Sequence, residues 1–219
     1  MQVRNIITSL LLVLFLGTAC NSAETSAVEV NQAWWESLSP AWKAYFQDNL
    51  AISNPPTEEQ LMQLKQLDVL DLYDQKQIKD MTPIASLQNL EAIWCENMEK
   101  MIDISPLVAL PNLKELSLGN TGVTDITSVA EMKQLEKLEL FKTGVSDITP
   151  VAKLKNLKVL DLNSSKVEDI SVVKMMTQLE VLYFNETGIE SLDVISGLKN
   201  LREVSFGSTK VKSLAPLTG

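Results

Sequence analysis

The stretch Leu113-Lys-Glu-Leu116-Ser-Leu118-Gly-Asn-Thr121-Gly-Val123-Thr-Asp125-Ile126 decides the architecture. Its first leucine has counterparts at Leu67, Leu90, Leu135, Leu157, Leu179 and Leu201, and the steps along the series are 23, 23, 22, 22, 22 and 22 residues. A register held that tightly marks a solenoid, whose coils bury their apolar sides only against their neighbours. With the first leucine as position zero, aliphatic residues fall at zero, three and five, as in Leu135, Leu138, Leu140 and Leu157, Leu160, Leu162. Positions three and five have strand spacing, so both side chains face one way. Stacked copies then form a parallel sheet with one short strand per coil.

The return arm is as regular as the strand. Val123-x-Asp125-Ile126 recurs as Val145-x-Asp147-Ile148 and Val167-x-Asp169-Ile170. Thr82-Pro83, Ser105-Pro106 and Thr149-Pro150 follow the same turn. A hydroxyl N-cap followed by proline predicts a short 3₁₀ or α-helical turn there. The recurring aspartates track the turn without a ligand cluster, so they are expected to satisfy turn backbone and not to hold a metal.

The unit Leu-x-x-Leu-x-Leu-x-x-Thr-x-Val-x-Asp-Ile-x-Pro resembles the internalin-type leucine-rich repeats of bacteria, from Leu67 to Leu217. The fold expected is an α/β leucine-rich-repeat solenoid: seven copies over residues 67–219, a parallel sheet on the concave side, short 3₁₀ or helical turns on the convex side, and a helical N-terminal cap. The resemblance implies an asparagine at the ninth position of each unit, bonding backbone in the next coil. Here that position holds Gln75, Met98, Thr121, Thr143, Ser165, Thr187 and Thr209. A hydroxyl replaces part of that bonding and Met98 none, so the arch is expected to loosen around the second repeat.

Residues 33–66 leave the repeat. Ser39-Pro40 reads as an N-cap and first helical residue of a helix to about Asn49, with Trp42, Phe46 and Leu50 on one face. Thr57-Glu-Glu-Gln60 matches a capping box opening a second short helix through Leu61 and Leu64. Solenoids need terminal units with one polar side, so Trp35, Trp42 and Phe46 are expected to be cap core, not a platform for sugar or lipid.

The first residues read as a targeting segment. Arg4 precedes an uncharged, largely apolar run from Ile6 to Leu16, which predicts a signal peptide over residues 1–19. Leu16-Gly17-Thr18-Ala19-Cys20 resembles the lipobox of bacterial lipoproteins. That resemblance implies acylation of Cys20 and removal of the peptide before it; a plain signal peptide cut near Ala19 and an uncleaved membrane helix are the alternatives. Residues 20–32, rich in Ser, Ala and Glu, read as a lipid-anchored flexible tether. All of this places the chain outside the cytoplasm, at a bacterial cell envelope. Cys95 occupies an inward leucine position and is expected to be a buried thiol.

A net charge of −9 argues against a phosphate-backbone partner, so no nucleic acid is expected. With no histidine and two cysteines, zinc sites and histidine-based catalysis are hard to assemble, and no cofactor is expected. Glu139 and Asp161 on adjacent strands could mimic a glycosidase pair, but the sequence shows no cleft around them. Positions two, four and six of each strand point to the concave face. Among them Tyr73, Trp94, Phe141 and Tyr183 interleave with Asp71, Glu96, Glu139 and Asp161. These eight are the candidate ligand-binding residues, and a protein partner with some positive charge is expected. No distinct cap follows the last repeat, so Leu201 to Phe206 reads as an unprotected edge open to self-association or to a partner subunit. The function expected is non-enzymatic binding; a structural subunit of an envelope complex is the rival.

Overall fold

The computed structural model describes residues 29–217. Cys20, the signal peptide and most of the proposed tether lie outside these residues. Three helices come first: α1 (Gln32–Ser37), α2 (Pro40–Leu50) and α3 (Glu58–Lys65). Seven three-residue strands follow: β1 (Val69–Asp71), β2 (Ala92–Trp94), β3 (Glu115–Ser117), β4 (Lys137–Glu139), β5 (Val159–Asp161), β6 (Val181–Tyr183) and β7 (Glu203–Ser205). They form one sheet in chain order, every pair parallel. The register stacks Leu70, Ile93, Leu116, Leu138, Leu160, Leu182 and Val204 in one column. All but Val204 are at most 1% exposed, each burial being worth about 1.5–3 kcal/mol. One aliphatic spine thus runs through every coil.

The turns depart from the expected capping. The 3₁₀ segments Thr82–Ser86, Ser105–Ala109 and Thr149–Lys153 begin at the hydroxyl residue itself, preceded by Met81, Ile104 and Ile148 with no side-chain cap. The aspartate two residues upstream does the capping. Asp80, Asp103, Asp125, Asp147 and Asp169 each accept the backbone N–H of the following Thr or Ser at 2.7–2.8 Å. Hydrogen bonds from residue 105 backbone-first, and from the Thr127 and Thr149 groups, hold the Asp103, Asp125 and Asp147 carboxyls below the usual range.

The inter-coil amide bond also sits elsewhere than expected. Thr121, Thr143, Thr187 and Thr209 donate to a carbonyl of their own coil, three residues back, at 2.6–2.8 Å. The ladder between coils is made one residue before the first leucine. Asn89, Asn112, Asn156, Gln178 and Asn200 donate to carbonyls of Lys65, Gln88, Lys133, Leu154 and Thr177 at 2.8–3.0 Å. Met98 is fully buried and the strand register passes through the second coil unbroken. Its longer turn presses the Glu99 carbonyl against Gly122, where any Cβ would collide.

After each strand one residue takes the left-handed conformation: Asp74, Asn97, Asn120, Lys142, Ser164, Glu186 and Ser208, with φ between 54° and 62°. On the flank before the strands, charges alternate. Glu91 pairs with Lys114 at 2.8 Å, Glu136 with Lys158 at 2.5 Å and Glu180 with Arg202 at 3.6 Å. Lys114 is also drawn toward Glu136, and Lys158 toward Glu180.

The cap forms much as expected. Ser39 caps α2 with Pro40 at its first position, and Thr57 and Gln60 complete a capping box on α3. Helix α1 was not anticipated: Asn31 caps it, Val30 is 3% exposed and Glu29 lies 3.0 Å from Lys65. The folded domain therefore reaches into residues 29–32, which the sequence reading assigned to the tether. Trp35, Trp42 and Phe46 are at most 1% exposed and form the cap core with Trp34 and Tyr45, Trp42 stacking on Phe46 at 5.5 Å. The polar tips reach the first coil: Trp34 Nε1 donates to Pro83 O at 3.1 Å, Trp42 Nε1 to Asp80 O at 2.8 Å and Tyr45 Oη to Asp71 O at 2.8 Å. Burial pushes the Tyr45 phenol up, keeping it a donor. At the far end Val204, Phe206 and Val211 are only partly covered, and Leu214 and Leu217 are 57% and 45% exposed.

Candidate functional site

Outward side chains of consecutive strands lie in rows. The fourth-position row runs Asp71, Trp94, Ser117, Glu139, Asp161, Tyr183 and Ser205 across the sheet. What shapes this face is the third coil, which places the small Ser117 in the row between Trp94 and Glu139. Ser117 is 1% exposed and Gly119, two residues on, is also buried. Trp94 and Glu96 stand on one side of this gap and Lys137 and Glu139 on the other. The result is a depression of about 730 Å³, completed by Asp71, Tyr73 and Glu115.

Five of the eight candidate residues meet here: Asp71, Tyr73, Trp94, Glu96 and Glu139. Tyr73 is 55% exposed at the rim. Glu96 accepts a hydrogen bond from the Ser117 hydroxyl at 3.0 Å, which ties the wall to the floor. Lys137 sits 3.0 Å from Glu139, two residues along the same strand. Glu115 and Lys137 belong to this hollow although neither was singled out from the sequence. The signal that could have found them is the Ser117-Gly119 pair between two large-residue strands.

The other three candidates are placed differently. The Phe141 ring lies over Gly119, filling the space a side chain there would need. Asp161 and Tyr183 belong to a hydrogen-bonded network on the rear half of the face. Asp161 accepts the Asn163 N–H at 2.8 Å, Asn163 Oδ1 accepts both the N–H and the amide of Asn185 at 2.7 Å, and Asn185 Oδ1 accepts the Ser205 hydroxyl and the Gly207 N–H at 2.8 and 2.6 Å. Tyr183 donates to Glu203 at 2.6 Å, and that bond raises its phenol. Burial pushes the Asp161 carboxyl up, with the Glu139 charge adding to it against the Asn163 bond. Both halves bond polar groups locally, Asp71 accepting the Tyr73 N–H at 3.0 Å in front, but only the front half keeps this depression.

A family of tandem leucine-rich repeats, "Leucine Rich repeats (2 copies)", matches residues 133–174. An internalin of Listeria monocytogenes superposes with a TM-score of 0.64 at 31% identity over 74% of this chain and 48% of its own. Internalin C2 of the same organism superposes with a TM-score of 0.65 at 21% identity, over 82% of this chain and 88% of its own. The chain carries a leucine-rich-repeat solenoid of internalin-like fold. It spans about half the length of the first of these internalins. No curated protein sequence matches it.

Cys95 and the Glu139–Asp161 pair of the leucine-rich-repeat chain bear on chemistry. Cys95 is fully buried in the spine, and burial pushes its thiol up, far from the reactive thiolate form. Glu139 and Asp161, adjacent in register, do not share one opening: only Glu139 lines the depression. Among the described residues no cluster of acidic or thiol groups is arranged to hold a metal ion, and no helix is long and apolar enough to cross a membrane.

Proposed function

We propose that this chain is a non-enzymatic recognition module that binds a protein partner through the concave face of its solenoid. One observation carries the reading: a hollow rimmed by the exposed Tyr73 and the half-buried Trp94, on an otherwise rigid, register-locked sheet. Aromatic anchors in partly desolvated pockets dominate protein recognition, and a rigid wall loses little entropy on binding. The module is exported and held at a bacterial cell envelope through an acylated Cys20, a reading that rests on the lipobox resemblance and the signal-peptide pattern.

The test is affinity capture from cell-surface extracts with wild-type protein and a Trp94→Ala/Tyr73→Ala variant, with mass spectrometry of the bound proteins. A protein retained by the wild type and lost by the variant supports the reading. Retention of the same proteins by both overturns it. Intact-mass measurement of the native protein tests the anchor: a diacyl or triacyl increment on a chain starting at Cys20 is expected, and an unmodified chain starting elsewhere overturns it.

The rival, an assembly subunit docking by its last strand, is favoured by the exposed Leu214 and Leu217 beside β7. It predicts a concentration-dependent increase in mass by light scattering that Leu214→Ser abolishes.

A further inference from the structure

The front half of the concave face has the charge and the aromatic lining to take a cationic side chain within its depression. Neighbouring strands are about 4.8 Å apart, so the walls on β2 and β4 stand roughly 10 Å apart over the β3 floor. That gap admits one extended side chain between Trp94 and Glu139. The carboxylates around it are Asp71, Glu96, Glu115 and Glu139, against one cation, Lys137, already 3.0 Å from Glu139. A net excess of three negative charges faces an indole ring.

We infer that this hollow is a socket for an arginine side chain presented by an extended segment of the protein partner. The inference rests on the concave-face reading above. A guanidinium is planar, so it lies flat on Trp94 while its edge donates to carboxylates, and it is less strongly hydrated than an ammonium. The same carboxylates do not converge as a metal site would require. Lys137 neutralises one wall of the socket. Its pairing with Glu139 directs the incoming cation toward Glu96 and Glu115 on the cap side. The rear half has no tryptophan to stack on: its side chains in the same row are Asp161, Tyr183 and Ser205.

Trp94 gives a direct readout, because the other three tryptophans, Trp34, Trp35 and Trp42, are at most 3% exposed. The full chain is titrated with three synthetic peptides, glycine-serine frames with a central arginine, lysine or glutamine, following tryptophan fluorescence and calorimetry. The arginine peptide is expected to bind saturably, about tenfold more tightly than the lysine peptide, with no saturable signal from glutamine. Trp94→Ala and Glu96→Gln should each weaken it about tenfold, Trp94→Phe should recover most of the loss, and Tyr183→Ala should change nothing. Melting temperatures equal to wild type show that each variant is folded. Equal binding of all three peptides, or loss only in Tyr183→Ala, overturns the socket. If no peptide binds while protein capture still depends on Trp94 and Tyr73, the socket fails and the concave-face reading stands. If capture is also indifferent to those substitutions, both fail.

Discussion

Among the described residues, the first and last coils of the array are covered to different extents. At the front, helices α1 and α2 bring five buried aromatic residues against the first coil, and three of these aromatics also spend a polar tip on its backbone carbonyls. At the rear, among the described residues, the last strand is backed by Phe206 stacked on Phe184 at 5.9 Å, with Leu214 and Leu217 in solvent. Coils in a repeat array are stabilised by their neighbours, so an end coil has half the support of a central one unless something replaces the missing coil. The cap shows what that replacement takes: apolar area, and donors for an edge that would otherwise be unpaired. Phe206 supplies only the first.

The largest test of this contrast is Trp42→Ala against Phe206→Ala. The first should cost about 3–5 kcal/mol in denaturant unfolding, because it opens a cavity in the cap core and orphans the Asp80 carbonyl. The second should cost less than half as much, since its ring is already partly wet. Equal costs would break the comparison. Tyr45→Phe isolates the edge bond to Asp71 and should cost about 1 kcal/mol. Asn89→Ala removes the amide rung that ties the end of α3 to the second coil and should cost about 0.5–1 kcal/mol, whereas Asn200→Ala at the rear should cost measurably less. Hydrogen exchange sharpens the same point: amides of β7 should exchange faster than those of β2 to β5.

The smallest effect lies away from both ends. Asp161 has a raised pKa, so its ionisation opposes folding: its relative stabilisation is present below the ordinary aspartate range near pH 3.9 and is lost as pH rises through the folded value. Asp161→Asn, which keeps the acceptor for Asn163, should therefore be more stable than wild type at pH 7. The gain should vanish below about pH 4 in paired thermal melts.

The strand positions were readable because leucine spacing repeats and each inward residue has no other way to avoid water. The cap helices α2 and α3 were readable from local chemistry instead, Ser39-Pro40 and the Thr57–Gln60 capping box standing ahead of apolar residues at helical spacing. Helix α1 escaped, because six residues are too few to show a helical period and two adjacent tryptophans read equally well as a loop. The inter-coil amides escaped for a different reason. The resemblance directed attention to the ninth position, while the recurring Asn or Gln at residues 89, 112, 156, 178 and 200 went unread. The left-handed row is hidden because Lys142 and Glu186 give no chemical hint of positive φ. For the site, alternation named the outward residues correctly, yet depth was invisible. It arises from the small Ser117 standing between Trp94 and Glu139, while the Phe141 ring takes up the space over Gly119 and a network occupies the rear half; none of these is a property of any single outward residue.

The alternating flank imposes a parity on the array. Glu91, Lys114, Glu136, Lys158, Glu180 and Arg202 succeed one another with opposite sign. Excising the single coil that carries Lys114 would leave the leucine spine continuous but set Glu91 against Glu136, one like-charge clash at the new junction. Excising two would bring Glu91 beside Lys158 and restore the match. Between Glu91 and Arg202, coils can be removed from inside the array without a new like-charge junction only in even steps.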